Sequence, residues 1–548
     1  MGLKAKSAIG FIIFFFIGLI VSNVTTTANS AENNVTTGDW PTSTWKTASP
    51  ESQGMSSEEL AEMVNLVWKS DLSIDSIAIV RNGYLVLDAY NHTQTVDTSH
   101  IIYSCTKSIV SALVGIAIDK GYIKGVDQTV LSFFPNMRFK NLTEDKKSMT
   151  LEHLLTMSTG LKCRDSYLYE WRGLYDMVPS DDWIQFMLDL PMSETPGSRF
   201  EYCNGASFLL SAIIQQSTGI TALEFAKKHL FGPLGITNIT WPENRQGITI
   251  GYSEIRMRPR DMARIGQLFL NKGVWNGKQI VSSEWVKEST RQHVSTTTLP
   301  GYGYQWWVAG PGVYTALGHQ GQYIMVHPEK KLVIVFTSYL TGISSFTPLN
   351  LLNNFILPAI KSDGPIPEND HHTKALQSIV KLWQTETYYT YKQGDTASEE
   401  PIVREYINKD LGLSIKYDPK QFNTEAAVIP PIIFSRKHIT GLPTFSILTD
   451  NIPQGLTLET AENYTIGLLK KFLSASDFTI RKKEIIVLED GTKAGYSELY
   501  WRYQSMNLLT VSAYAIKGDK LIGVIVSNAE EKPIEFLSNI ARSLKFNK

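Results

Sequence analysis

Cysteine is scarce in this chain: 548 residues carry three, Cys105, Cys163 and Cys203. So small and odd a number does not read as a disulfide framework, and the two inside the short motifs described below, Cys105 and Cys203, are expected to be small buried packing residues. Charge of one sign is also missing. Fifty-two Lys and Arg face 53 Asp and Glu, which removes any electrostatic case for nucleic acid or an anionic membrane surface as partner. There is no internal repeat and no low-complexity tract, so solenoid and fibrous architectures are excluded. No His-Glu-x-x-His or metal-spaced cysteine pair occurs, so neither a metal nor a cofactor is expected, and His371-His372 reads as solvated. Long apolar runs are absent except near the start. Lys4 and Lys6 precede Ala8 to Val21, the length of a signal-peptide core rather than of a spanning helix. Residues 1–31 therefore read as a signal peptide or N-terminal anchor. The protein is expected to be exported, either secreted or held at the outer face of the cell membrane through its N-terminus.

What is present describes a globular chain, 43% hydrophobic and 19% charged, too long for one ordinary core. A polar leader over 32–49 precedes a first domain over 50–362. Ser76 to Val80 and Tyr84 to Tyr90 read as strands around the Asn82-Gly83 hairpin turn. Ile109 to Ile118 is apolar nearly all round, hence a buried helix. A mostly polar, loop-rich and helical stretch runs to about residue 290. Strand patterns then fall at Tyr302 to Val308, Tyr314 to Ala316, Gln322 to Val326 and Leu332 to Ser338. Strands at both ends with helices between imply an α+β fold in which the first strands rejoin the last. Residues 363–409 read as a linker with a helix. A small α+β domain follows over 410–548, with strands at Leu413 to Tyr417, Thr444 to Leu448, Glu484 to Leu488, Tyr496 to Tyr503, Leu508 to Ile516 and Leu521 to Ser527. Two helices, Leu458 to Leu473 and Ile534 to Ser543, complete that reading.

The chemistry lies in three short motifs in order. Ser-x-x-Lys occurs three times, at Ser43, Ser104 and Ser378, but only Ser104 opens a buried helix. Residues i and i+3 share a helix face, so Lys107 can reach the Ser104 hydroxyl. A serine needs a base, and burial lowers a lysine's pKa towards that use. Tyr202-Cys203-Asn204 supplies a phenol able to relay a proton and an amide able to hold Lys107. His319-Gln320-Gly321 would place a donor on a strand beside Tyr202, with Gly321 leaving room for substrate backbone.

Residues from about 47 to 360 resemble the serine β-lactamase and penicillin-binding family, in its class C-like branch. Further stretches carry the resemblance: Thr150 to Leu161, Pro196 to Phe200, Arg260 to Gly266 and Gly301 to Trp307. It implies a β-lactamase-like antiparallel sheet flanked by helices, with a helical subdomain. It implies Ser104 as nucleophile, Lys107 and Tyr202 as base system, and Asn204 and His319 as site-shaping partners. The backbone N–H groups of Ser104 and Gln322 would form the oxyanion hole, and a loop tyrosine, Tyr167 or Tyr169, would line the pocket. Class C β-lactamases usually carry lysine where His319 stands, so the resemblance points towards esterases, D-amino-acid amidases or peptidases and weak β-lactamases. The tail resembles PsbP/Mog1-like domains in its order of elements, and its partner is unknown. The function expected is hydrolysis of a small-molecule or peptide-like amide or ester through an acyl-enzyme on Ser104. The alternative is a surface ligand-binding protein that keeps the penicillin-binding fold without catalysis.

Overall fold

The computed structural model describes residues 40–386 except 71, 166–170 and 341, and between 404 and 546 the strands given below with a few flanking residues. The signal or anchor segment 1–31 and the loop tyrosines Tyr167 and Tyr169 lie outside the described residues.

Helix α1 (Ser57–Lys69) opens at Ser56, whose hydroxyl accepts the Glu58 N–H. It buries Leu60, Met63, Val64, Val67 and Trp68, the stripe expected at helical spacing. Strands β1 (Ile74–Arg81) and β2 (Tyr84–Tyr90) form the hairpin predicted around Asn82-Gly83. Both turn residues have positive φ, 51° and 84°, as a two-residue hairpin turn of matching twist demands. Helices α2 (Cys105–Asp119), α3 (Asn204–Thr218) and α4 (Pro259–Leu270) follow. The chain then returns through β3 (Val294–Ser295), β4 (Gly301–Tyr302), β5 (Trp307–Gly310), β6 (Val313–Gly318), β7 (Gln322–His327) and β8 (Leu332–Ser338). The eight strands form one antiparallel sheet in the order β2-β1-β8-β7-β6-β5-β4-β3. The first strands do rejoin the last, Ile77 facing Phe336 and Ile79 facing Ile334.

Alternation along the central strands supplies two cores. Val80, Ile324, Val326, Val333 and Val335 face α2 and α4. Ile77, Ile79, Met325, Ile334 and Phe336 face α1 and the C-terminal helices of the domain. With helices on both faces, β1 and β8 are buried along their whole length.

Four expectations change. The folded region takes in residues ahead of Pro50: Trp45 is buried and donates to Arg260 O, while the Arg264 guanidinium donates to Pro41 O at 2.7 Å. The strand expected over Tyr302 to Val308 breaks between β4 and β5, because Gln305 turns away at φ 61° to bond elsewhere. The stretch read as mostly polar up to residue 290 contains α3, buried from Asn204 to Ile214. Finally, the helix placed in the linker, α5 (Asp370–Thr385), packs on α1 and buries Leu376, Ile379 and Trp383 in the second core.

In the smaller C-terminal unit, β9 (Arg404–Asn408), β10 (Leu413–Tyr417) and β17 (Lys545–Phe546) make one sheet. A second runs β11 (Ile432–Ser435), β12 (Thr444–Asn451), β16 (Lys520–Ala529), β15 (Met506–Lys517), β14 (Lys493–Tyr503), β13 (Ser476–Val487). The last four are a meander that overlaps the positions read from the sequence, with β13 beginning at Ser476 rather than Glu484. The helix expected over Leu458 to Leu473, and Ile534 to Ile540 of the closing one, fall almost wholly outside the described residues.

Because Trp383 is nearly fully buried against α1, Trp383→Ala is expected to destabilise the first domain by about 3–5 kcal/mol, read from the denaturant midpoint. An unchanged midpoint would make α5 a passive linker helix.

Candidate active site

Ser104 occupies the N-cap of α2, yet its side chain caps nothing. A serine there ordinarily spends its oxygen on a backbone N–H of the first turn. Here Lys107 Nζ donates to Ser104 Oγ at 2.9 Å and the Tyr202 hydroxyl donates to it at 2.8 Å. The Ser104 backbone N–H makes no hydrogen bond among the described residues. Tyr103, just before, has φ 44°, a strained value for a bulky residue, and is tied by its hydroxyl to Gln320 Oε1 at 3.0 Å.

Lys107 is fully buried. Its three acceptors come from three segments: Ser104 Oγ, Asn204 Oδ1 at 2.8 Å and Tyr252 O at 2.7 Å. Burial pulls the amine from its ordinary 10.5 down to about 7, against the opposing pull of Asp165 and Cys105. Its ammonium also lies 4.9 Å from the centre of the Tyr202 ring. An amine poised near neutrality beside a serine oxygen can take that oxygen's proton.

Two observations explain how the helices are held. Gln305 is buried in the break between β4 and β5. It accepts from Ser108 Oγ of α2 and Ser207 Oγ of α3, and donates to Leu154 O and Leu155 O. Tyr202 is walled by aromatics: Trp307 stacks on it at 6.2 Å and Trp171 meets it edge-on at the same distance. Together Trp171, Tyr202 and Trp307 give the serine an apolar flank.

The remaining sequence candidates are distributed less simply. Asn204 is placed as expected, its Oδ1 spent on Lys107. His319 lies in the turn after β6 rather than on a strand. Its ring packs edge-on against Tyr103 at 5.4 Å, and no hydrogen bond joins it to Tyr202 among the described residues. Partial desolvation there holds its pKa below the ordinary imidazole value. Gly321 has φ 84°, and a Cβ on it would lie 2.5 Å from Ser338 Oγ, so the turn itself requires glycine. That space belongs to the protein and is not left for a substrate backbone. Gln322 starts β7 opposite Gly318, its side-chain amide locked to Ser338 O and His319 O.

Two features were not foreseen. Cys163 and Cys203 form a disulfide across 40 residues, contrary to the expectation of free packing cysteines, and only Cys105 remains a buried thiol. The bond pins the segment after Leu161 to the residue between Tyr202 and Asn204. Asp165, two residues beyond Cys163, is buried and accepts the backbone N–H of Asn204 at 2.8 Å and of Leu174 at 2.6 Å. The cluster Cys163, Asp165 and Cys203 has the closeness of a metal site. Sulfurs bonded to each other offer no thiolate, so it does not suit a metal. No local pattern announced Asp165, because its partners are distant in sequence.

A profile of the Beta-lactamase family matches residues 65–350, just over half of the chain. The chain belongs to the Beta-lactamase family. As such it is a serine hydrolase related to penicillin-binding proteins. Among characterised relatives, the 6-aminohexanoate-dimer hydrolase of Paenarthrobacter ureafaciens is 25% identical over 286 residues, 48% of this chain and 71% of that protein. Lovastatin esterase of Penicillium rubens is 24% identical over 205 residues, 34% of this chain and half of that enzyme. Solved structures overlap partially. The octameric penicillin-binding protein homologue of Pyrococcus abyssi aligns at TM-score 0.46 and 17% identity, over 85% of this chain and 99% of its own.

Since the disulfide closes a 40-residue loop, Cys163→Ser is expected to cost about 2–4 kcal/mol of stability. Thermal unfolding with and without reductant checks this. Wild-type protein should melt earlier in reductant, and the variant should not respond. A wild-type midpoint indifferent to reductant would refute the linkage.

Proposed function

We propose that this β-lactamase-family enzyme is an exported hydrolase that cleaves a small amide or ester through an acyl-enzyme on Ser104. The observation that carries the reading is the contact of one serine oxygen with both a buried amine and a phenol. With Lys107 neutral, the Ser104 O–H donates to Nζ. Oγ attacks the substrate carbonyl as its proton passes to the amine. The tetrahedral oxyanion is taken up by the backbone N–H groups of Ser104 and Gln322, at the N-terminal end of α2. Tyr202, its hydroxyl on Oγ and its ring beside the ammonium, gives its proton to the leaving alcohol or amine, and the proton held on Lys107 restores the phenol. Water then gives a proton to the same pair while its oxygen bonds to the acyl carbon; the bond from that carbon to Oγ breaks, Oγ takes the proton back and the acid leaves.

Asn204 keeps Lys107 aimed at the serine, since its Oδ1 is one of the amine's three acceptors. The aromatic flank formed by Trp171 and Trp307, with a histidine where class C β-lactamases keep lysine, favours an uncharged acyl group over a lactam carboxylate. That a 6-aminohexanoate-dimer hydrolase and an esterase are both among the relatives agrees with either an amide or an ester as target. Export is supported by the buried disulfide, a bond that persists in oxidising compartments.

Intact mass after exposure to short-chain p-nitrophenyl esters, D-amino-acid amides and a β-lactam tests the acyl-enzyme. Wild-type residues 32–548 should gain one acyl mass or show a nitrophenol burst, and Ser104→Ala should show neither. An adduct that survives Ser104→Ala would place the nucleophile elsewhere.

The pH profile tests the base. Only neutral Lys107 accepts the proton, so kcat/KM should fall as pH drops through about 7, the value to which burial brings it. Lys107→Arg, always charged, should lower kcat by about 10²-fold or more with little change in KM. A flat profile between pH 5 and 8 would count against lysine as base.

A further inference from the structure

Asp165 is a buried carboxylate with no ion-pair partner within 4 Å among the described residues, and it touches no part of the Ser104 hydroxyl's own network directly. Burying a charge without a direct counter-charge is costly, so such a group calls for a reason. Its hydrogen bonds give one. Oδ2 accepts the N–H of Asn204, the first residue of α3, and Oδ1 accepts the N–H of Leu174 in the short helix Arg172–Met177. Asn204 in turn accepts from Lys107 through its own side chain. One residue therefore separates the carboxylate from the amine. The Cys163–Cys203 bond clamps the same two segments beside it.

We propose that Asp165 is a positioning residue for catalysis, holding Asn204 and Tyr202 at the start of α3 and setting, by its charge, the proton affinity of Lys107. The inference rests on the reading of Lys107 as the base. Unaided burial would push the amine so low that its neutral form became a feeble base, and an anion behind Asn204 opposes that. The groups facing Lys107 are Ser104, Asn204, the Tyr252 carbonyl, the rings of Tyr202 and Tyr252, the Cys105 thiol on its own helix, and Asp165. Of these, Asp165 is the anion at neutral pH. Those facing Asp165 are the two backbone N–H donors, the Asn204 side-chain amide, the Cys163 sulfur, Tyr252 and Lys107. Its own pKa is raised to about 6 by burial, against the pull of the N–H donors and of Lys107, so at neutral pH it carries the charge the argument needs.

The sign follows. Removing the anion makes protonated Lys107 less favourable, so the acid limb of kcat/KM moves to lower pH. Asp165→Asn is therefore expected to shift that limb down by about half a pH unit or more. It should also lower kcat about 10-fold with KM within about two-fold, rates being scaled to the fraction of protein that Ser104 acylation titrates. Asp165→Glu keeps the charge but displaces it by a methylene. It is expected to restore the limb to the wild-type pH while kcat stays several-fold low. A purely structural Asp165 would lower the titratable fraction and leave the limb where it was, and that result in Asp165→Asn overturns the inference. Should Asp165→Asn not fold, the glutamate variant decides: a displaced limb or a wild-type kcat refutes the proposal. A wild-type enzyme without an acid limb near pH 7 fails the reading of Lys107 itself. A wild-type limb that Asp165→Asn leaves in place fails only the role of Asp165.

Discussion

A lysine amine with no access to water governs the architecture around Ser104. A buried ammonium is tolerated only when its donors are used, and Lys107 finds acceptors on its own helix, on α3 and in the loop at Tyr252. Those three must therefore be brought to one point and kept there. Much of the rest serves that convergence. Gln305 abandons its strand to bind α2 and α3 together, and the Ser104 N-cap gives up its usual capping bond so that the hydroxyl stays with the amine and the phenol. The same burial that makes the lysine costly to fold makes it useful, because it lowers the pKa into the working range of a base.

The sheet provides the rigid support. Its central strands are covered on both faces, and α4 packs so close that a Cβ on Gly266 would come within 2.4 Å of Val333. The turn between β6 and β7 inherits that rigidity and carries His319, Gly321 and Gln322 to the serine's side of the molecule. Strain gathers at the same place: Tyr103 and Gln320 both have positive φ and are hydrogen-bonded to each other. The nucleophile's approach and the candidate oxyanion turn are thus held together by this hydrogen bond, by the Tyr103–His319 ring contact and by the Cys105 thiol on Gln322 O.

Much of this was legible in the sequence. The Asn82-Gly83 hairpin, the apolar helix after Ser104, the closing strands and the meander of the C-terminal unit followed from periodicity and turn chemistry. Ser104, Lys107, Tyr202 and Asn204 were found from motif order and meet as read. What failed has a common cause. The free cysteines, the place of His319 beside Tyr202, the room beside Gly321 and the silence about Asp165 all concern which residue faces which across 17 positions or more. Local pattern carries no such information.

The sequence by itself determined the family, the helix that presents the serine and the lysine one turn behind it, because i, i+3 spacing and apolar periodicity are local properties of the chain. Only the tertiary structure decided that Cys163 meets Cys203, that Asp165 stands behind Asn204, and that helix α5 and the segment from Trp40 belong to the first domain. Those are outcomes of packing, where distant segments meet only because burying them together costs less than leaving either in water.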